Sequence, residues 1–317
     1  FGLVFMIAGI TGFFASRFSL QQIIGAIGAT LVGSAAASVY GVSVLVGSRA
    51  ALYFGATISS AASIGFVCKG YKFFGVGFSS LPRLTSNVEG GVRLVAISDT
   101  HGRHNNVQLP KGDILLHTGD FLFDGTEKEL RDFASWLRRV ACDYKDVVII
   151  AGNHDLELDE EFSSLGPQAA RQMLAEAADN IHYIEDREIV VQGVSFYGSP
   201  LQPPIPGKRM AFNATSSDHL RRAWAQVPSH VDVLLSHCPP FGANDQLFWG
   251  PRVGDQYLRD AILRTRPAFA VSGHIHEGYG VSVLGDTTCI NASSCTLLYH
   301  ARHKPIVFDV VPKAKQR

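Results

Sequence analysis

Val92-Arg-Leu-Val-Ala-Ile-Ser-Asp-Thr-His101 is the stretch on which the fold turns. Six residues, Val92–Ile97, form a short apolar run that passes at once into Ser98, Asp99, Thr100 and His101. A run of that length, rich in Val, Ile and Leu, reads as a buried strand. The same arrangement recurs downstream. Ile114–Leu116 leads into His117-Thr-Gly-Asp120, Val147–Ala151 into Gly152-Asn-His-Asp155, Val231–Leu235 into Ser236-His237, and Ala268–Val271 into Gly273-His-Ile-His276. Helical patterns lie between. Thr126 with Glu129 makes a capping box ahead of Leu130, Phe133, Ala134, Leu137 and Val140, which share one helical face. Gln168–Ala178, His219–Gln226 and Asp255–Thr265 read as further helices.

Strands alternating with helices make an α/β protein. In such sheets ligands bind beyond the carboxyl ends of the strands. All five polar sets sit at those ends, so they can converge on one place. Their side chains decide the chemistry. Carboxylate, imidazole and amide oxygen suit divalent Mn, Fe, Zn or Mg rather than a thiolate site. An Asp on a tight turn can bridge two cations, and two cations about 3.5–4 Å apart clamp an in-line displacement at phosphorus. A phosphate-ester hydrolysis is therefore expected, with two divalent ions, manganese favoured.

Composition divides the 317 residues into unlike parts. Up to residue 90 there are five basic residues (Arg17, Arg49, Lys69, Lys72 and Arg83) and one acid, Glu89. The whole chain is formally neutral, so the remainder is net acidic. Duplex nucleic acid is excluded as the expected partner, because phosphate-backbone affinity needs clustered Lys and Arg. A small phosphate ester whose charge is met by metal fits instead. The five Cys (68, 142, 238, 289 and 295) are scattered, with no CxxC pair, and read as reduced thiols.

Phe18–Ser48 and Ala50–Cys68 contain no charged residue. Each is long enough to cross a bilayer as a helix, and their many small residues would allow close packing. The expectation is a helical membrane-spanning region over 1–72, with two or three helices. A linker over 73–90, a catalytic domain over 91–312 and a basic tail over 313–317 follow it. A buried helical layer or a cleaved signal is the alternative. With three spans, Lys69, Lys72 and Arg83 lie on the side of Arg17, which places the catalytic domain in the cytosol. The chain begins with Phe, so a further N-terminal stretch is expected.

The five blocks, Asp99-x-His101, Gly119-Asp120, Gly152-Asn-His-Asp155, His237 and Gly273-His274-x-His276, resemble those of the calcineurin-like metallophosphoesterase superfamily, in order. That resemblance implies a two-sheet α/β/β/α sandwich. It implies one metal on Asp99, His101, Asp120 and His276, and another on Asp120, Asn153, His237 and His274. Asp120 would bridge them with a nucleophilic hydroxide, His154 would protonate the leaving alkoxide, and Asp155 would orient His154. Gly112-Asp-Ile-Leu-Leu-His-Thr-Gly-Asp120, Gly198-Ser-Pro-Leu-Gln-Pro203, Ala211-Phe-Asn213, Cys238-Pro-Pro240 and His274-Ile-His-Glu-Gly278 resemble the metallophosphoesterase-domain-containing branch. That branch implies hydrolysis of 3′,5′-cyclic nucleotides. Some of its members lose one His of the last pair; this chain keeps both. The branch's Arg-Gly after Phe-Asn is replaced here by Ala214-Thr-Ser-Ser217.

Other polar residues carry plainer readings. His117 is expected to be a satisfied core His, Cys238 packing, and Glu277 a loop charge. His104 and Asn213 are candidates for substrate contact, against a solvated loop and a structural turn. A phosphomonoesterase or protein phosphatase, or a weakly active nucleotide-binding scaffold, are the competing functions.

Overall fold

The computed structural model describes residues 88–312, together with the backbone of three earlier strands, β1 (Val39–Leu45), β2 (Ala51–Ile58) and β3 (Ile64–Val67). The chain divides into two compact units, Phe1–Ser79 and Ser80–Arg317.

In the first unit β1, β2 and β3 form an antiparallel sheet, with Val39 opposite Thr57 and Gly55 opposite Val67. This corrects the helical expectation over these stretches. Absence of charge over some 20 residues fixes no periodicity. Val39-Tyr-Gly-Val-Ser-Val-Leu45 and Ala51-Leu-Tyr-Phe-Gly-Ala-Thr-Ile58 are rich in β-branched and aromatic residues, which favour a pleated strand. Among the described residues no helix is long and apolar enough to cross a membrane. The rest of the expected membrane region, the linker up to residue 87 and the basic tail lie outside the described residues. The bilayer contact and cytosolic orientation rested on those spans.

The second unit is built on two sheets. In the first, β4 (Val92–Ile97), β5 (Ile114–Thr118), β6 (Asp146–Ile150) and β7 (Ile181–Tyr183) run parallel, and β14 (Ile306–Val310) joins β4 antiparallel. In the second, β9 (Val194–Ser199), β10 (Val233–Ser236), β11 (Phe269–Ser272) and β13 (Thr287–Asn291) run parallel. Antiparallel β8 (Arg187–Val191) and β12 (Gly280–Leu284) form its edges.

The alternation of side chains along each strand makes four layers. Leu94, Ala96, Leu116, Val148 and Ile150 of the first sheet meet Val194, Phe196, Val233, Leu235 and Val271 of the second. The opposite face of the first sheet, with Val95, Ile97, Leu115, Val147 and Ile149, is covered by α1 (Glu127–Val140) and α2 (Pro167–Ala175) through Leu130, Phe133, Leu137 and Leu174. The outer face of the second sheet packs Leu234 and Ala270 on α3 (Ser217–Ala225) and α4 (Gln256–Thr265) through Leu220, Trp224, Leu258 and Ile262. Both faces of the central strands are thus buried, which is why they read as continuous apolar runs. Each such side chain contributes about 1.5–3 kcal/mol of burial. Both halves of the Thr126–Glu129 capping box are present. The Asp255 carboxylate caps α4 by accepting from the N–H groups of Tyr257 and Leu258.

Candidate metal centre

The carboxyl ends of β4, β5 and β6 in one sheet and of β10 and β11 in the other meet at one place. Backbone bonds lock the turns together there. Asp99 N–H donates to Gly119 O at 2.9 Å, His101 N–H to Asp120 O at 3.0 Å, and Gly273 N–H to His237 O at 2.9 Å. The turns are sharp: Asp99, His101, Asp120 and His274 all have left-handed φ, between 44° and 64°. Such conformations cost of order 1–3 kcal/mol each and persist where surrounding structure imposes them. Gly152 and Gly273 permit the close approach. A Cβ on Gly152 would lie 2.4 Å from Asp120 Oδ1, and one on Gly273 2.0 Å from Asp99 Oδ2.

Two sets of ligand atoms result. Asp99, His101 and His276 each offer one within 4.8 Å of the others, and so do Asp120, His237 and His274. His101 Nε2 stands 3.2 Å from His276 Nε2 and 3.8 Å from Asp120 Oδ2, so Asp120 borders both sets. Asn153 Oδ1 lies 3.1 Å from His237 Nε2. Three of the four imidazoles are aimed from behind. Nδ1 of His101, His237 and His276 donates to the carbonyls of Leu122, Thr118 and Thr296, at 3.2, 2.9 and 3.0 Å. A carbonyl only accepts, so each Nδ1 carries the proton and each Nε2 lone pair is left for a cation.

The electrostatics suit divalent ions. Burial opposes ionisation of Asp99 and Asp120, but His276 and His237 hold both carboxyls below the usual range. Burial pushes His101 down to about 4 and His274 to about 3, so both are neutral ligands. Burial opposes charge on His237 too, yet Asp120 raises it to about 9. Without metal, then, a proton on His237 supplies part of the positive charge the carboxylates require. Oxygen and imidazole donors, aimed lone pairs and glycine clearances all fit a pair of divalent cations.

Residues 92–278 match the family model described as calcineurin-like phosphoesterase. The chain belongs to that family. It is 39% identical over 241 residues to human metallophosphoesterase domain-containing protein 1, covering 70% of this chain and 72% of the relative. It is 35% identical over 227 residues to a UPF0046 protein of Caenorhabditis elegans, covering 70% and 76%. One solved crystal structure shares the fold with a TM-score of 0.51 at 16% identity, covering 68% of this chain and 98% of that one.

The remaining residues of the phosphoesterase divide in two groups. His154 stays at the centre, with a ligand atom within 4.8 Å of those of His101 and Asp120. Its N–H donates to Asp120 Oδ1 at 2.8 Å and its Nδ1 to the Phe123 carbonyl at 2.6 Å, which leaves Nε2 for a substrate. Asp155 has another task than the one expected of it. Its carboxylate is fully buried and accepts from the N–H groups of Asp120 (2.8 Å), Gly152 (2.7 Å) and Leu122 (3.0 Å). It shapes the Asp120 turn, while the Phe123 carbonyl orients His154. Burial and the Asp120 carboxylate push the Asp155 carboxyl up, and the N–H donors pull against them.

Both candidates for substrate contact have partners of their own, and His104 is in neither ligand set. His104 is buried beneath α1, against the rings of Phe133 and Trp136 at 5.6 and 5.1 Å. Asn213 pairs with Gln202, whose Nε2 donates to Asn213 Oδ1 at 3.0 Å, in a loop whose Ala211 N–H donates to the Asn153 carbonyl. His117 is a core residue, its Nε2 3.0 Å from Thr100 Oγ1. Cys238 is buried, its Sγ 3.5 Å from the carbonyl of Pro239.

Sequence reasoning passed over three residues. Ser293 Oγ lies 3.0 Å from Asp99 Oδ2. Asn291 Nδ2 donates to the carbonyls of Gly273 and Ile275, holding the His274-to-His276 turn. Tyr299 packs on the His101 and His276 rings. Asn291 alone had a signal, as a polar residue ending the run Cys289-Ile290.

Proposed function

We propose that this phosphoesterase is a two-metal phosphodiesterase acting on small nucleotides such as 3′,5′-cyclic nucleotides, with manganese the favoured ion. The observation that carries the reading is the pair of ligand sets bordering Asp120, with His154 beside them. Kinship with metallophosphoesterase domain-containing protein 1 supports it, as does the presence of both His274 and His276.

The cations, held by Asp99, His101, Asp120 and His276 and by Asp120, Asn153, His237 and His274, would polarise the phosphoryl group and activate water. The chain does the rest. Asp120 and Asp99 balance the cationic charge. The backbone carbonyls of Leu122, Thr118 and Thr296 fix the imidazoles of His101, His237 and His276, so these need no reorientation as charge builds up. The Phe123 carbonyl holds His154 by Nδ1, and a proton on Nε2 passes to the leaving oxygen as the P–O bond breaks. A positioned general acid of this kind contributes typically 10²–10⁴-fold.

The test is turnover by the full chain with Mn²⁺, Fe²⁺, Zn²⁺ or Mg²⁺ on cyclic AMP and GMP, bis-p-nitrophenyl phosphate and p-nitrophenyl phosphate. The proposal expects the diesters to be preferred. Preference for the monoester would replace it with a phosphomonoesterase or protein phosphatase. No turnover with metal bound would leave a scaffold.

A further inference from the structure

Tyr299 is neither a ligand nor part of any block read in the sequence, yet its ring closes one flank of the metal cluster. Its centroid lies 4.8 Å from that of His101 and 5.3 Å from that of His276, at interplanar angles of 80° and 82°. Phe123 stands edge-on to it at 5.1 Å. The loop that carries it is fastened to the site. Tyr299 N–H donates to the Thr296 carbonyl at 2.8 Å, and the same carbonyl accepts from His276 Nδ1 at 3.0 Å. Thr296 N–H in turn donates to His300 O at 2.9 Å, and Cys295 pairs with Ala301 to close the loop.

Two features separate Tyr299 from ordinary packing. Its φ is +56°, a left-handed value that a bulky side chain rarely adopts. A conformation of that cost marks a position the fold imposes, and here it turns the ring onto two metal ligands. The second feature is the hydroxyl. A phenylalanine would pack on His101 and His276 equally well, and no described group partners the Tyr299 oxygen. A phenol stays protonated at neutral pH, so it is an uncharged donor beside Asp99 and Asp120.

We infer that Tyr299 is a substrate-binding residue, whose phenolic O–H donates to a non-bridging oxygen of the phosphoryl group on the His101/His276 flank of the centre. This rests on the phosphoesterase reading above but not on the identity of the ester. An added hydrogen bond to an anionic oxygen is expected to change binding about 10- to 100-fold.

The test uses the full chain, wild type, Tyr299→Phe and Tyr299→Leu. Mn²⁺ binding is measured by titration calorimetry, followed by inorganic phosphate binding to the loaded protein and by kcat and KM for bis-p-nitrophenyl phosphate. Tyr299→Phe is expected to keep Mn²⁺ affinity within about twofold, to bind phosphate about tenfold or more weakly, and to lose a similar factor in kcat/KM. Wild-type phosphate binding in Tyr299→Phe, with a loss only in Tyr299→Leu, would overturn the inference, because the ring alone would then matter. So would a wild-type protein that binds Mn²⁺ but no phosphate. A wild type that binds phosphate through Tyr299 yet cleaves no diester would sustain this inference and defeat the phosphodiesterase reading.

Discussion

Asp155→Asn separates the task the structure gives this residue from the one its neighbour His154 suggests. In the native turn Asp155 Oδ2 accepts from Asp120 N–H at 2.8 Å and Gly152 N–H at 2.7 Å, and Oδ1 accepts from Leu122 N–H at 3.0 Å. An amide has one acceptor oxygen. Placed at the Oδ2 position, it keeps two of these bonds, each weaker by about 1 kcal/mol because the acceptor is now neutral. The amide NH₂ then faces Leu122 N–H, losing a third bond worth about 1.5–3 kcal/mol. The total is about 3–5 kcal/mol. In a unit of this size that lowers Tm by roughly 10–15 °C. Thermal unfolding of the full-length variant at pH 7, with a chelator present, measures it. A fall of less than about 3 °C would refute the reasoning, since it would mean the carboxyl already carries a proton and makes no ionic bonds. An unchanged Tm with a displaced pH–rate profile would restore Asp155 as the partner of His154.

Gly152→Ala should abolish Mn²⁺ binding at the Asp120/His237/His274 set, because the added Cβ would lie 2.4 Å from Asp120 Oδ1 and 2.5 Å from His237 Cε1. Calorimetry showing two intact sites would contradict this. His104→Phe should leave turnover unchanged, since His104 packs under α1. It should also flatten acid destabilisation. Burial holds His104 down at about 4, so below the ordinary value near 6.5 the unfolded chain takes up the proton and the folded chain does not. Stability therefore falls as pH drops from about 6.5 to 4, by up to roughly 3 kcal/mol. The variant's Tm-against-pH curve should lose that slope, and an equal slope would show that His104 is not its source. His154→Ala should keep metal affinity and slow cleavage more for an alkyl than for a p-nitrophenyl leaving group. Equal losses for the two would remove it as the acid.

The second unit was legible because burial and function leave marks of different kinds. Val92–Ile97 and Val147–Ala151 are buried on both faces, so their composition announces a strand. The ligands stand where each run stops. β7, β8 and β12 carry no such mark, since Ile181-His-Tyr183 and Arg187-Glu-Ile-Val-Val191 mix polar and apolar residues along partly exposed edges. His104 stands only three positions beyond His101 yet packs against Phe133 and Trp136, so nearness along the chain is not nearness in space. The two residues between His101 and His104, Gly102 and Arg103, carry the chain from the cluster to the underside of α1. Tyr299 could not be found from sequence, because its approach depends on a loop closed at Cys295 and Ala301, 194 residues or more beyond the ligands that follow β4, counted from His101 to Cys295.

Each ligand set draws on both sheets: Asp99 and His101 from β4 with His276 beyond β11, and Asp120 from β5 with His237 and His274 from β10 and β11. A bound ion is therefore also a rivet through the seam of the sandwich. The apolar faces that meet between the sheets hold them together without direction, and at the open end the turn bonds, with ions when bound, would fix how far apart the two halves stand. Loading and rigidity are then one event. Tightly held ions stabilise the native state by mass action, and chelation should loosen the carboxyl ends of five strands at once while the far end of the seam stays closed.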